Sequence, residues 1–263
     1  MELVISTYEG LEDISIKEIK NIVKKLPSIL LPGKLILSKA SISDLFKVAY
    51  VSRSISKACI LLKEFRFNNL EDILSEIKKI NFKSYLRKNF SVTCKRTGQH
   101  NFNSMPILKG TVKLLSNKYS ISANYKDPEV IVDINIINNL CLIGIDLVCL
   151  ELNKRQYKVK TSYLDINSCL AFATLQIANY KKGKSLLDPF CSNSSIVIEA
   201  ALYSKNTPNL YNKENIKIPK TTQNFMNKKI RSDIKLKIYG FDPRYSNIKK
   251  ARINAKLASV SKA

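Results

Sequence analysis

Glycine is scarce, with seven in 263 residues, and none of them falls in a G-x-G-x-x-G run. A dehydrogenase-type dinucleotide fingerprint is therefore absent. The six cysteines, Cys59, Cys94, Cys141, Cys149, Cys169 and Cys191, show no C-x-x-C spacing, and five sit in apolar or strand-like runs. That pattern argues against a zinc site or a disulfide framework. The opening lacks a basic start followed by an apolar stretch and a cleavage site, because Glu2, Glu9, Glu12 and Asp13 interrupt it. The expected compartment is the cytosol. The longest apolar region, Val130 to Leu152, is broken by Asp133, Asn135, Asn138, Asn139 and Asp146. These would be costly in a bilayer, so the region reads as a β-hairpin and no membrane association is expected. No repeat of about 20–50 residues is apparent, and no two prolines are adjacent anywhere.

Acidic residues are also few: 21 against 44 Lys and Arg, for a formal charge of +23. A charge of that size points to a polyanionic partner, and nucleic acid is the natural one. The excess is patchy, at +1 for residues 1–50, +7 for 51–100, 0 for 101–150, +3 for 151–200 and +12 for 201–263. A Lys- and Ile-rich composition can raise the charge without any such partner, so charge alone does not decide the matter.

With 45% apolar residues the chain can bury an ordinary core, and its length suggests two domains. A strand is expected at Glu2–Thr7. A helix follows Gly10, with apolar residues from Leu11 to Leu26 at helical spacing and Pro27 as its stop. A strand at Lys34–Ser38, a helix near Ser41–Val51 and a strand around Lys57–Phe65 complete an α+β unit of ferredoxin-like character. Next come a helix at Asn69–Lys79 capped by Asn69, a strand at Asn89–Lys95, a polar basic loop over 96–104, a helix around Ile107–Leu115, and a hairpin turning at Asn138-Asn139. Residues 151–167 read as a connection. Beyond them, a helix runs from Asn167 or Ser168 to Asn179, and a buried strand ends at Asp188. A helix over Ile196–Leu202, a loop-rich polar insertion over 205–234, a strand at Leu236–Phe241 and a last helix over Ile248–Ala258 follow. Repeated strand-turn-helix means a parallel sheet.

Asp188-Pro189-Phe190-Cys191-Ser192-Asn193-Ser194-Ser195 leaves a buried strand and enters a helix. Free backbone amides there face a ligand at the carboxyl edge of the sheet. Asp242, 54 residues later, ends the next strand, where a carboxylate can accept hydrogen bonds from the ribose hydroxyls of an adenosine. Each acid also has a plainer reading, Asp188 as a helix cap and Asp242 as a strand terminator beside Pro243. Their pairing favours the functional one.

LLDPFCSNSSIVIEAAL resembles the D-P-F/M-C-G-S-G-T-x-x-I-E-A-A signature of RNA methyltransferases that modify the guanine 2-amino group. GFDPRYSNIKKARINAKLASV resembles their second motif. FSVTCKRTGQHNFNS is similar to the core of a THUMP domain, and MELVISTYEGLEDISIKEIK to the start of that family, so the resemblance spans nearly the whole chain. It implies an α/β chain with an α+β amino-terminal part. Residues 1–66 would be a ferredoxin-like domain, 67–150 a THUMP RNA-binding domain, 151–167 a linker, and 168–263 the first part of a Rossmann-like methyltransferase domain. It further implies S-adenosyl-L-methionine as cofactor, with Asp188, Pro189, Phe190, Cys191, Ser192 and Ser194 near its amino-acid part and Asp242 near its ribose. RNA is the implied partner, tRNA in preference to rRNA, with Lys95, Arg96, His100, Phe102 and Lys109 as candidate contacts. Taken singly, His100 reads equally as a solvated loop residue and Phe102 as a core residue.

Two departures stand out. Ser192 and Ser194 occupy positions where the family has glycines that tolerate positive φ. The family's Asn/Asp-Pro-Pro-Tyr/Phe motif is missing, and without it nothing holds a weakly nucleophilic exocyclic amine in line with a methyl group. The expectation is an enzyme relative whose remaining strands come from a partner chain. The alternative is a non-catalytic RNA-binding module left by truncation or gene decay.

Overall fold

A computed structural model describes residues 1–161 and 165–261. The chain forms two compact units that alternate along the sequence. The first takes Met1–Val4, Leu37–Ser41 and Ala58–Leu150, the second Ile5–Ile36, Ile42–Lys57 and Glu151–Ala263. The leading elements are β1 (Leu3–Ser6), α1 (Glu12–Val23), β2 (Ser28–Leu31), β3 (Lys34–Leu37), α2 (Ile42–Val51) and β4 (Lys57–Arg66), the βαββαβ order of ferredoxin-like modules. Strand β2 was not expected from sequence: Pro27, Pro32 and Gly33 make Ser28–Leu31 look like a turn, yet it pairs antiparallel with β3. Helix α1 also stops before Pro27, because Lys24 takes a left-handed C-cap at φ 60°.

The first unit continues with α3 (Leu70–Lys79), β5 (Asn89–Thr97), α4 (Ser104–Tyr119), β6 (Ser122–Ala123), β7 (Val130–Ile137) and β8 (Leu140–Asp146). Its strands run in the order β1-β4-β8-β7-β5-β6. The sheet is mixed: β8 is antiparallel to both β4 and β7, while β5 is parallel to β7 and β6. Helix α3 starts where the sequence says it should. Asn69 Oδ1 accepts from the Asp72 amide at 2.9 Å and Asp72 Oδ2 accepts from the Asn69 amide at 3.3 Å, a reciprocal capping box. Ile73, Ile77, Ile107 and Leu115 of the helices bury with Phe90, Val92, Val132, Ile134 and Ile143 of the strands.

In the second unit, α5 (Ser168–Ile177) packs on α6 (Ser195–Ser204), and β9 (Leu186–Asp188) pairs in parallel with β10 (Ile238–Gly240). The carboxyl-terminal helix is α8 (Tyr245–Leu257). The polar stretch over 205–234 is not all loop. It contains α7 (Lys220–Asn227), which packs on α2 through buried Met226, and Tyr50 Oη donates to Asn227 Oδ1 at 3.0 Å. Residues 151–161 carry no regular helix or strand, yet Leu152, Arg155 and Tyr157 are buried.

At the centre of this unit Glu199 of α6 has no solvent exposure. Its carboxylate accepts from Arg53 Nη1 at 2.8 Å, from Arg155 Nε at 2.9 Å and from Tyr157 Oη at 2.9 Å. The arginines are anchored in turn, Arg155 Nη2 on the Arg53 carbonyl at 2.6 Å and Arg53 on the Thr207 carbonyl. Burial alone would raise the Glu199 pKa, but the two guanidiniums hold it below the usual glutamate value. A depressed folded pKa means that this stabilisation is present above the ordinary glutamate pKa and is lost as pH falls through the lower folded one. Among the described residues, no helix is long and apolar enough to cross a membrane.

Removing this carboxylate leaves two guanidiniums buried without a counter-charge. Glu199→Ala is expected to cost about 3–5 kcal/mol in urea denaturation. A loss below about 1 kcal/mol would show that water compensates the pair freely.

Candidate functional site

Two constellations stand out, one in each unit. In the second unit, Gly240 lies opposite Asp188 in the parallel β9–β10 register. Two further backbone bonds lace the chains beyond the strands, Phe241 N–H to the Asp188 carbonyl and Cys191 N–H to the Phe241 carbonyl, both 2.8 Å. A Cβ on Gly240 would stand 3.0 Å from both Cβ and Sγ of Cys191, so glycine there permits the close approach. The Cys191 side chain is buried, and burial pushes its thiol pKa up, so it sits in the site as a neutral wall.

The two strand ends are then joined directly. Asp242 Oδ2 accepts from the Ser192 amide at 3.0 Å, while Oδ1 accepts from the Arg244 amide at 2.8 Å and from Asn247 Nδ2 at 3.0 Å. The Arg244 amide bond is the main cause holding the Asp242 carboxyl below its ordinary pKa. Three of about four carboxylate acceptor sites are engaged, which leaves room on Oδ2 for one further donor without breaking a protein bond. Asp188 Oδ1 accepts from the Phe190 amide at 3.1 Å within the turn, so it does not cap α6, whose N-cap position is Ser194. Pro189 and Phe190 form the exposed turn, and the Phe190 ring is 76% exposed.

The loop backbone is left-handed at Ser192 (φ 48°) and Ser194 (φ 65°), the two positions where the resembled motif carries glycine. Side chains there meet a steric penalty that glycine does not. Helix α6 begins at Ser195 directly after Ser194, so its first-turn amides face the loop. Asn193 Nδ2 is buried with no hydrogen-bond partner, an orphan donor at the centre of the loop.

Three supporting residues escaped the sequence reading. Asp165 Oδ1 accepts from Ser192 Oγ at 3.2 Å, bringing a second carboxylate to the loop. Asn247 orients Asp242. Asn254, fully buried on α8, donates to the Lys160 carbonyl at 2.9 Å and to the Asn193 carbonyl at 3.4 Å. Only Asn254 had a local signal, a polar residue on the apolar face of a helix pattern. Asp165 is placed by a long-range contact, and Asn247 by a bond to Asp242 five residues before it.

Most loop amides are spent on protein acceptors, so the loop offers the Asn193 backbone amide, one orphan side-chain amide donor and a carboxylate with a vacant acceptor position. Those groups fit an adenosine bearing an amino-acid chain, the shape of S-adenosyl-L-methionine.

In the first unit, three connections meet around a cavity of about 880 Å³: residues 67–71 after β4, 98–102 after β5, and the Asn138-Asn139 turn. The Phe67, His100 and Phe102 rings cluster there, with centroids 5.2–6.1 Å apart. His100 Nε2 lies 2.6 Å from the Asn138 carbonyl, which can only accept, so Nε2 carries the proton. Nδ1 then accepts from Arg96 Nη1 at 2.8 Å. Asn68, Asn69, Gln99 and Asn101 supply amides around the rings. Gly98 (φ 104°) is required, since a Cβ would stand 2.5 Å from Asn138 Oδ1. The structure thus brings Arg96, His100 and Phe102 together, while the exposed Lys95 and Lys109 lie outside the cavity lining.

The THUMP domain family matches residues 67–146, and the RMKL-like methyltransferase domain family matches residues 155–263. A tRNA (guanine(6)-N2)-methyltransferase from Archaeoglobus fulgidus is 27% identical over 259 residues, covering 96% of this chain and 65% of its own length. Its counterpart from Methanocaldococcus jannaschii is 29% identical, covering 79% and 58%. The ribosomal RNA large subunit methyltransferase K/L of Buchnera aphidicola subsp. Schizaphis graminum is 29% identical, covering 98% and 40%. The chain thus spans less than two thirds of the length of these relatives. Among solved structures, SMU.472 complexed with SAH superposes at TM-score 0.84 with 23% identity, covering 99% of this chain and 73% of that one. TrmN from Thermus thermophilus gives 0.70 with 19% identity, covering 99% and 70%. These likenesses establish the fold.

Replacing each left-handed serine by glycine relieves an αL penalty of about 1–2 kcal/mol against a glycine entropy cost of about 0.5–1 kcal/mol. Ser192→Gly and Ser194→Gly are each expected to raise stability by about 0.5–1 kcal/mol in urea midpoints at unchanged m-value. A loss of stability would mean that the hydroxyls, not the backbone, hold the loop.

Proposed function

We propose that this chain, whose residues 67–146 match the THUMP family and 155–263 the RMKL-like methyltransferase family, is the RNA-binding and cofactor-binding part of a tRNA (guanine-N2) methyltransferase. The observation that carries the reading is the Ser192–Asp242 bond, which unites the turn after β9 and the acid after β10 in one site. In this reading Asp242 accepts a ribose hydroxyl of S-adenosyl-L-methionine, and the turn from Cys191 to Ser194, through the Asn193 amide, holds its amino-acid part together with Asp188. The bound cofactor supplies an activated methyl group, delivered to a guanine 2-amino group.

RNA is held in the first unit, where Arg96 offers charge and the His100 and Phe102 rings offer stacking surfaces beside amides that can read a base edge. Lys95 and Lys109 contribute phosphate contacts from outside that cavity. The protein acts in the cytoplasm, a reducing setting that suits six free cysteines.

The acceptor-positioning loop lies outside these 263 residues, since they contain no adjacent prolines. One face of the β9–β10 pair supports this. Leu186 and Ile238 join the core beneath, while Leu187 (62% exposed) and Tyr239 (55% exposed) face outward, and parallel strands are ordinarily covered on both faces. Further polypeptide, whether continuous with this chain or a partner, would complete the sheet.

A second reading, a non-catalytic RNA-binding module, is favoured by the serines at left-handed positions. The two separate cleanly. The enzyme reading expects S-adenosyl-L-methionine to raise the Tm of this chain, and expects labelled methyl on tRNA transcripts once a polypeptide carrying the remaining family residues is added. If tRNA binds but the cofactor leaves Tm unmoved and no methyl is transferred with that polypeptide present, the module reading stands instead.

A further inference from the structure

A second cavity, of about 840 Å³, lies wholly within the second unit, among α1, α5, the end of α6 and the turn after α7. Its charge is one-sided. Lys17, Lys181, Lys182 and Lys229 line it, and none of the four pairs with a carboxylate among the described residues. The one acid in the lining, Glu18, is fully engaged: Oε1 accepts from the Arg53 amide at 2.9 Å, and Oε2 from Ser52 Oγ at 2.5 Å, Ser54 N at 3.0 Å and Ser54 Oγ at 2.6 Å. Arg53 is likewise turned away, onto Glu199.

Three features say that the cluster is arranged for a ligand. Lys182 Nζ is held 4.6 Å from the Tyr203 ring centroid and bonds Asn206 Oδ1, so one cation is fixed over an aromatic wall. Burial, then the charges of Arg53 and Arg231, lower the Lys182 pKa and outweigh the opposing charge of Glu18. Gln176 Nε2 is buried in the same lining beside Tyr203, and at least one of its two N–H groups lacks an acceptor, the kind of donor that a bound acceptor satisfies. Apolar side chains such as Phe172 and Met226 line the rest.

We propose that this cavity is a second RNA-binding site, taking a phosphodiester-linked nucleotide of the RNA, with the lysines on phosphate and the Tyr203–Phe172 wall against sugar or base. The inference rests on the RNA reading above and adds a contact surface outside the THUMP-matched residues. An inorganic phosphate would leave most of the volume unfilled, because cavities of about 300–1,000 Å³ suit ligands of nucleotide size.

The test uses the full chain, a labelled tRNA transcript and fluorescence anisotropy at several KCl concentrations. Lys181→Ser/Lys182→Ser/Lys229→Ser is compared with a charge-matched Lys126→Ser/Lys235→Ser/Lys256→Ser control and with Arg96→Ser. The cavity triple is expected to weaken binding at least tenfold near physiological salt and to flatten the log–log salt slope by about 2, since each lost phosphate contact removes about 0.7–0.9. The control should change affinity by much less. In a parallel arm on the unmutated chain, acetylation of Lys181 and Lys182 is read by mass spectrometry. RNA should protect them, and inorganic phosphate at matched phosphate concentration should not.

Equal weakening by the control overturns the proposal in favour of diffuse charge. Protection by phosphate but not by RNA reassigns the cavity to a small anion. Weakening by Arg96→Ser with neither weakening nor protection at the lysines defeats this inference alone. No RNA binding by the unmutated chain defeats it together with the RNA reading.

Discussion

The second unit is organised around one buried carboxylate. Glu199 is sealed from water on the first turns of α6, a few residues beyond the loop that ends at Ser194, and a charge in that position is tolerable only because Arg53, Arg155 and Tyr157 converge on it. Those three partners come from two separate stretches of sequence, so satisfying one side chain fixes the segment after α2 and the 151–161 segment on α6. The position of α6 in turn sets the position of the loop. The Ser192–Asp242 bond is then made between groups that are already held in place, which is what a preorganised ligand site requires.

Much of this was legible in the sequence, because the signals were local. Apolar triplets flanked by turn residues gave β9 and β10. Asn69 gave the start of α3, and Asn138-Asn139 gave the hairpin that walls the first-unit cavity. Ser192 and Ser194 were also readable as misfits, and their left-handed backbone explains why glycine is the expected residue there. What the sequence hid depends on tertiary contact. Strand β2 has turn residues at both ends and is fixed only by its pairing with β3. Helix α7 has a polar sequence and is held by a few residues packed on α2. Asp165 comes to Ser192 across 27 positions, with no local pattern to mark it. The five residues singled out for RNA contact separate in the same way. The loop conformation brings His100 and Phe102 into the lining of one cavity and Arg96 onto His100, while Lys95 and Lys109 lie outside that lining for reasons that only the fold supplies.

The charge distribution gains meaning once it is placed on the fold. The large excess after residue 200 is not a uniformly solvated face. Lys229, with Lys17, Lys181 and Lys182, lines a cavity whose one acid is already engaged by hydrogen bonds. Polar residues in this chain thus do two kinds of work. Glu18, Glu199 and Asn254 are closed into internal networks, while Asp242, Asn193 and Gln176 keep bonding capacity in reserve. The reserve is where ligands are expected.

The central claim is that Asp242 and the loop at Cys191–Ser194 make a single cofactor site. Calorimetric titration of S-adenosylhomocysteine into the unmutated chain and into Asp242→Ala tests it most directly. The account expects saturable binding to the unmutated chain and affinity at least tenfold weaker in the variant, at unchanged urea stability of the Glu199-centred unit. Equal affinity in the two proteins, or no binding to the unmutated chain, would contradict it.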